Sequence, residues 1–452
     1  MKSFFLQSFP KLDSHLREIL EGASVTFALR SIGIIFTFGF NLMLARMIGP
    51  DGTGLFFLSV SIITVASVIS RMGFDNAVLR FAAEASVKKD WGALIGLFKK
   101  STTLCLATAS LLMIMTFACA PWLADVIFQK PPLAEPLRWM TPTIPAISIL
   151  FLHTELLKGL KKIKLSQIIQ GTCLPVATLM MCLFFGIKWE LPGIAAGYAA
   201  SAILMACLAA FAILRFIQNR FSFKGFFSTR KLFRTGIPLY NIALMNLILT
   251  WSATIILGTQ GRASEIGLFQ VANLTAMLIG FFLTAINTIA APKFASLYVK
   301  KEMQALSKSA RQSSALMVIA VTPLLVLMIL YPASILRLFG PEFEAGAPLL
   351  RLMSIGQFIN VATGSVGYLL MMTGYERLLR FNITIATVIN LWLCIWLIPK
   401  MGALGAAIAT AVPLALLNIL SAYFVYNRLH IVTIPFLPVK YENDRQTLTR
   451  MD

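Results

Sequence analysis

Runs of about twenty apolar residues, separated by short polar stretches, recur along the whole chain. Twenty residues is what an α-helix needs to cross the hydrocarbon core of a bilayer. The runs fall near 22–47, 55–80, 101–121, 138–158, 165–186 and 191–216, and again near 236–260, 265–292, 312–336, 346–373, 378–399 and 402–426. None alternates apolar and polar positions as a barrel strand does, which leaves helices as the spanning element. The pattern predicts an all-α integral membrane protein with twelve transmembrane helices.

Three landmarks repeat in one register. Gly54-Leu55-Phe56, Arg80-Phe81-Ala82 and Leu137-Arg138-Trp139-Met140 return 213 residues later as Gly267-Leu268-Phe269, Lys293-Phe294-Ala295 and Leu350-Arg351-Leu352-Met353. An offset of six helices, an even number, returns the chain to the same side. The halves therefore run parallel, as two six-helix lobes about an axis along the membrane normal with a central cavity between them. The organisation expected is an N-terminal segment 1–21, an N-lobe 22–216, a basic linker 217–235, a C-lobe 236–426 and a tail 427–452. Prolines 145, 175, 238, 292, 323 and 413 lie in or beside the spans, where they bend helices.

Composition agrees with this pattern, and charge adds an orientation. The 452 residues are 58% hydrophobic and 13% charged, with a mean hydropathy of +0.80, which excludes an ordinary soluble globule. The formal net charge is +20, and the basic residues gather in even-numbered loops. Arg80, Lys88, Lys89, Lys99 and Lys100 follow helix 2; Lys158, Lys161, Lys162 and Lys164 follow helix 4; Arg215, Arg220, Lys224, Arg230, Lys231 and Arg234 follow helix 6. Basic loops stay cytoplasmic, so both termini are expected there. Insertion topology and contact with anionic membrane lipids account for the charge without a nucleic-acid partner.

The six cysteines fall inside spans without metal-ligand spacing, the three histidines do not cluster, and no phosphate loop or nucleophile motif occurs. No metal or cofactor is expected. Without an ATP-binding segment, uphill work would draw on an ion gradient or on the substrate's own gradient. The most unusual position is Arg30, inside VTFALRSIGIIFTFGFN. A guanidinium at bilayer depth is costly unless it meets water, a partner or a substrate, which makes it a functional candidate. Snorkelling to the near interface is the plainer alternative.

ARMIGPDGTGLF, RMGFDNAVLRFAAE, KGLKK, RTGIPLYNIALM, EIGLFQVANL and INTIAAPKFASLY together resemble the polysaccharide-transporter branch of the MOP (MATE-like) superfamily, over residues 20 to 426. The resemblance implies a flippase for undecaprenyl-diphosphate-linked oligosaccharides in the bacterial inner membrane, working by alternating access of two lobes. It also implies that a polysaccharide polymerase and glycosyltransferases act alongside it.

Under that reading Arg30 lies about 12 Å inward on helix 1, and Arg71 about 25 Å down helix 2, both in the cytoplasmic half. Both would meet a lipid diphosphate, whose oxygens a planar guanidinium grips in pairs. Arg80 is the third candidate, nearer the interface. Asp75, four residues after Arg71, is positioned for an intrahelical pair; with Glu155 it is the acid available for coupling to H+, Na+ being the other candidate ion. Sugar contacts are expected from Asn241, Asn246, Trp251, Gln270, Asn273, Gln357 and Asn360, with interhelical hydrogen bonding as the alternative for each amide. A cation antiporter of the multidrug branch would need unpaired acids. A glycosyltransferase would need carboxylates on long loops, and the loops are short. Peptidoglycan-precursor flippases are a nearer alternative but resemble fourteen-helix proteins.

Overall fold

The computed structural model describes residues 14–217 and 227–435. Among them, nine helices are long and apolar enough to cross a bilayer, and a bent pair, 131–140 with 143–159, makes a tenth span. Two of the nine are hairpins. α1 (Ser14–Arg71) is interrupted at Gly49 by a φ of 64° and ψ of −172°, a conformation glycine adopts without steric cost. The chain turns back there. Ring centroids of Phe40 and Phe56 are 5.7 Å apart, whereas a straight helix would hold them about 24 Å apart. α2 (Phe74–Lys88) continues the second crossing after a break at Met72 and Gly73, whose φ values are 47° and 74°.

α3 (Trp91–Trp122) is the third crossing, opened by an Asp90 side chain that accepts from the Ala93 N–H at 2.9 Å. Such a cap satisfies one of the first-turn donors that lack helical partners. α4 (Ala134–Met140) and α5 (Thr143–Gly159) form the bent fourth crossing. After the short α6 (Ile163–Gln167), α7 (Leu174–Ile217) is the second hairpin. It turns at Trp189 and Glu190 and brings Thr178 Oγ1 within 3.1 Å of Ser201 Oγ.

The second half contains α8 (Thr229–Gln260), α9 (Ala263–Val299), α10 (Met303–Leu330) and a short α11 (Pro332–Leu336). α12 (Ala347–Ala362) with α13 (Val366–Met372), α14 (Glu376–Met401) and α15 (Ala403–Leu429) complete it. With each hairpin counted as two crossings, the described residues cross twelve times, as the apolar pattern predicts. Both described ends then lie on one side, the proximal face.

The halves meet reciprocally. A Cβ on Gly54 would overlap the Ala263 carbonyl, and a Cβ on Gly267 would overlap the Pro50 carbonyl. Ala263 is Pro50 plus 213 and Gly267 is Gly54 plus 213, so each half presents the same surface to the other. Self-complementary contact of this kind is what a two-fold axis generates, and here it relates two parallel repeats within one chain. Only glycine permits the approach at these two positions.

The cores divide in the same manner. Ala45, Leu55, Leu58, Phe128 and Leu133 of the first half share one apolar cluster with Leu257, Ile266, Phe339, Phe343 and Ile398 of the second, all near the distal turns. The proximal halves have separate clusters, one around Phe74, Phe81, Leu97 and Leu156, the other around Phe294, Leu306, Leu369 and Val425. The lobes therefore share a core distally and keep separate cores proximally, with a cleft between those cores bordered by the contact of Gly73 with Gly236 and Tyr240 of α8.

The boundary between lobes lies inside α8. Leu232 belongs to the N-lobe cluster, Phe233 packs on Phe74 at 5.1 Å, and Lys231 sits 4.7 Å over Phe81. Further on, Ser252 bonds to Asn390 of α14. Of the linker expected over 217–235, residues 218–226 lie outside the described residues, and helix resumes at Thr229. The expected segments 1–21 and 427–452 are described only from Ser14 and as far as Pro435.

Candidate functional site

Arg30, Thr37 and Asn41 are spaced i, i+7, i+11, which places them in one stripe along the first crossing. Arg30 and Thr37 are exposed, and Asn41 is 5% exposed where the lobes begin to join. Arg30 makes no hydrogen bond or ion pair with any described residue. Thr37 Oγ1 donates to the Gly33 carbonyl at 2.9 Å, and Asn41 Nδ2 donates to the Thr37 carbonyl at 2.8 Å. An exposed polar stripe within a span is costly against lipid and stable against a water-filled cleft.

The repeat carries the same stripe into the C-lobe with its charge removed. Adding 213 takes Arg30, Thr37 and Asn41 to Ala243, Thr250 and Thr254 of α8. Thr250 is exposed like Thr37, and its hydroxyl donates to the Asn246 carbonyl at 2.8 Å, again four residues back. Thr254 is buried and bonds to Gln270 Nε2 of α9. One wall of the cleft thus offers a guanidinium where the other offers a methyl group.

Arg71 is engaged within the N-lobe. Its Nη1 is 2.8 Å from Asp75 Oδ2, its Nε donates to the Ser67 carbonyl at 3.2 Å, and the guanidinium lies 4.7 Å over the Phe151 ring. Arg71 ends α1 and Asp75 lies in the first turn of α2, so the pair spans the break at Met72 and Gly73. Each charge also complements the dipole of its own helix end. A phosphate reaching Arg71 would compete with all three contacts. Glu155 is paired as well, 2.5 Å from Lys158 Nζ. Asp75 Oδ1 is buried without a donor. Arg80 is exposed near the proximal end of α2.

The uncharged candidates separate into two groups. Gln270 is 4% exposed and committed to Thr254. Trp251 is half-buried and packs on the distal N-lobe cluster. Gln357 Oε1 accepts from Asn360 Nδ2 at 3.3 Å, and both are half-buried, as is Asn273. Asn241 and Asn246 are both exposed, but five residues place them about 140° apart around the helix, so they do not share a face. Asn246 accompanies Thr250 one turn on. Thr37, Asn41 and Thr250 were not singled out from the sequence, although the seven-residue spacing from Arg30 to Thr37 was there to be read. Among the described residues no three His, Cys, Asp or Glu side chains gather as a metal site.

Residues 19–298 match the family model described as polysaccharide biosynthesis protein. Stage V sporulation protein B of Bacillus subtilis (strain 168) is 20% identical over 438 residues, covering 89% of this chain and 82% of that protein. An uncharacterized membrane protein of Methanocaldococcus jannaschii is 26% identical over 239 residues, so the match spans 50% of this chain and under half, 46%, of that relative. Among solved structures, the lipid II flippase MurJ in its inward closed conformation superimposes with a TM-score of 0.70 at 15% identity, covering 90% of this chain and 87% of that one. An inward-facing multidrug resistance MATE family transporter of the MOP superfamily gives 0.69 at 12% identity, covering 90% and 98%.

Proposed function

The chain belongs to the polysaccharide biosynthesis protein family and has the fold of MOP-superfamily transporters, and on that footing we propose that it moves undecaprenyl-diphosphate-linked oligosaccharide repeat units across the bacterial inner membrane. The proximal face is cytoplasmic in this reading, and substrate leaves toward the periplasm after the lobes rock from a proximal to a distal opening. The observation that carries the proposal is Arg30, a guanidinium without an ion partner among the described residues, on the exposed polar stripe of a span. It would take the diphosphate as the lipid enters from the cytoplasmic leaflet, with paired hydrogen bonds that no ammonium provides. Thr37 and Asn41 continue the stripe inward, and Thr250 and Asn246 lie exposed on the equivalent helix of the C-lobe, which carries no charge there, a chemistry suited to sugar hydroxyls.

The lipid II flippase resembled in fold makes a peptidoglycan precursor the second reading, since a diphosphate would engage Arg30 identically. A multidrug cation antiporter is disfavoured because both deep acids, Asp75 and Glu155, already hold cations. Coupling through either acid would require that pair to open. Neutral substitutions at both that leave transport and any dependence on the proton gradient unchanged would remove both acids from coupling, leaving it to another group, to Na+ or to no ion. The proposal is tested with proteoliposomes holding the purified protein and labelled undecaprenyl-diphosphate oligosaccharide. Protein-dependent exposure of label on the opposite leaflet is expected, faster for an oligosaccharide repeat unit than for the peptidoglycan precursor. Equal leaflet exchange in empty vesicles would overturn it, and the reverse preference would favour the second reading.

A further inference from the structure

The distal junction has two seams, and one cation bridges each. At the first seam Arg46, at the distal end of the first crossing, donates from Nε to the Leu338 carbonyl beyond α11 at 2.8 Å. At the second, Lys130, in the loop between α3 and α4, donates from Nζ to the Gly258 carbonyl in the last turn of α8 at 2.6 Å and to the Phe128 carbonyl at 3.0 Å. Gly258 is among the last four residues of α8, whose carbonyls have no helical donor and carry the negative end of the helix dipole.

The two bonds occupy equivalent places. The repeat takes Ala45, beside Arg46, to Gly258, and takes Lys130 to Phe343, five residues from Leu338. Each seam therefore joins the distal end of a lobe's first helix to the loop after the other lobe's third helix. Both cations come from the N-lobe, and both acceptors are backbone groups of the C-lobe. Burial pulls the Lys130 amine below the usual lysine range, with the Glu265 carboxylate acting in the opposite direction. Between the seams lie the Gly54–Ala263 and Gly267–Pro50 contacts, so the cations flank a close backbone-to-backbone junction at the edge of the apolar cluster that the two lobes share.

We propose that Arg46 and Lys130 are the paired latches of a distal gate, holding the lobes closed on that face and setting how often it opens. The proposal rests on alternating access. Neither residue belongs to the Arg30 stripe, so the latches govern the balance of conformations and not the capture of substrate. The choice of acceptor matters mechanistically. A carbonyl at a helix end returns to water when the gate opens, whereas a carboxylate partner would make each opening break an ion pair.

The test places spin labels on cysteines introduced at Asp51 and Glu342, both exposed near the distal face on opposite lobes, in a background without native cysteines. Distances between labels are read in lipid nanodiscs. Two populations are expected in the parent, the shorter one dominant. Arg46→Gln and Lys130→Gln should each raise the longer population several-fold, the double variant more than either, while Arg46→Lys and Lys130→Arg stay near the parent ratio and report on folding. Two populations whose ratio the glutamine variants leave unchanged would overturn the latches alone. A single population that lipid-linked oligosaccharide does not shift would overturn alternating access, and the latches with it.

Discussion

Arg71 and Asp75 form a 2.8 Å ion pair across a break in the second crossing, joining the last residue of α1 to the first turn of α2. Met72 and Gly73 leave the helical region at the break, so the pair supplies a link that the interrupted backbone ladder does not. Its partners are shielded, at 11% and 23% side-chain exposure. Removing one partner should therefore strand the other. Arg71→Ala or Asp75→Asn is expected to cost about 1.5–3 kcal/mol, and Arg71→Ala with Asp75→Ala less than the sum of the two single alanine variants. Thermal unfolding in detergent measures this; strictly additive losses would show that the pair is not a coupled unit.

Arg30 should behave differently, because among the described residues no group pairs with it. Arg30→Ala is expected to leave the unfolding temperature unchanged or raise it, since an isolated guanidinium at bilayer depth is costly. Transport should fall tenfold or more, the equivalent of about 1.5–3 kcal/mol for a charged hydrogen bond. Arg30→Lys should lie between, and Arg80→Ala should have a weaker effect. Wild-type transport by Arg30→Ala at equal protein levels would remove this residue from the site.

The amides sort by what they touch. Asn390 accepts from Ser252 Oγ at 2.5 Å and donates to the Ala409 carbonyl at 2.6 Å, and Gln270 donates to Thr254. Alanine at either should lower stability by about 1–3 kcal/mol, because buried partners lose their bonds. Asn246→Ala, at an exposed position whose Nδ2 only bonds back to Ile242 at 3.0 Å, should keep its unfolding temperature and slow transport. Loss of stability at Asn246, or of transport alone at Asn390, would reverse these assignments.

Orientation is checked by labelling intact cells with a membrane-impermeant thiol reagent. A cysteine at Lys231, whose ammonium lies 3.9 Å from Glu84 on the proximal face, should be protected, and one at Arg262, between α8 and α9 on the distal face, should react. The opposite pattern would invert the protein in the membrane and with it the direction of transport proposed.

The sequence alone determines the twelve crossings, the parallel repeat and the anomaly of Arg30. Bilayer thickness fixes how many apolar residues a span needs, and hydrocarbon forces backbone groups to pair within the helix, so length and composition suffice without knowledge of neighbours. Even the register of the repeat, from Gly54 to Gly267, is legible because the glycines meet at the axis. Tertiary structure alone decides which polar groups are already taken. The pairing of Arg71 with Asp75 is legible from their spacing, but not that it bridges a break at Met72 and Gly73, and Gln270 looks as available as Asn246 until α8 and α9 meet. Arg46 and Lys130 read as ordinary loop cations, yet their acceptors, Leu338 and Gly258, lie 292 and 128 residues away. Apolar faces resemble one another so closely that spacing along one helix does not say which helix it will meet. Only packing the lobes together selects the partner of each charge, and with it which charge is left without one among the described residues.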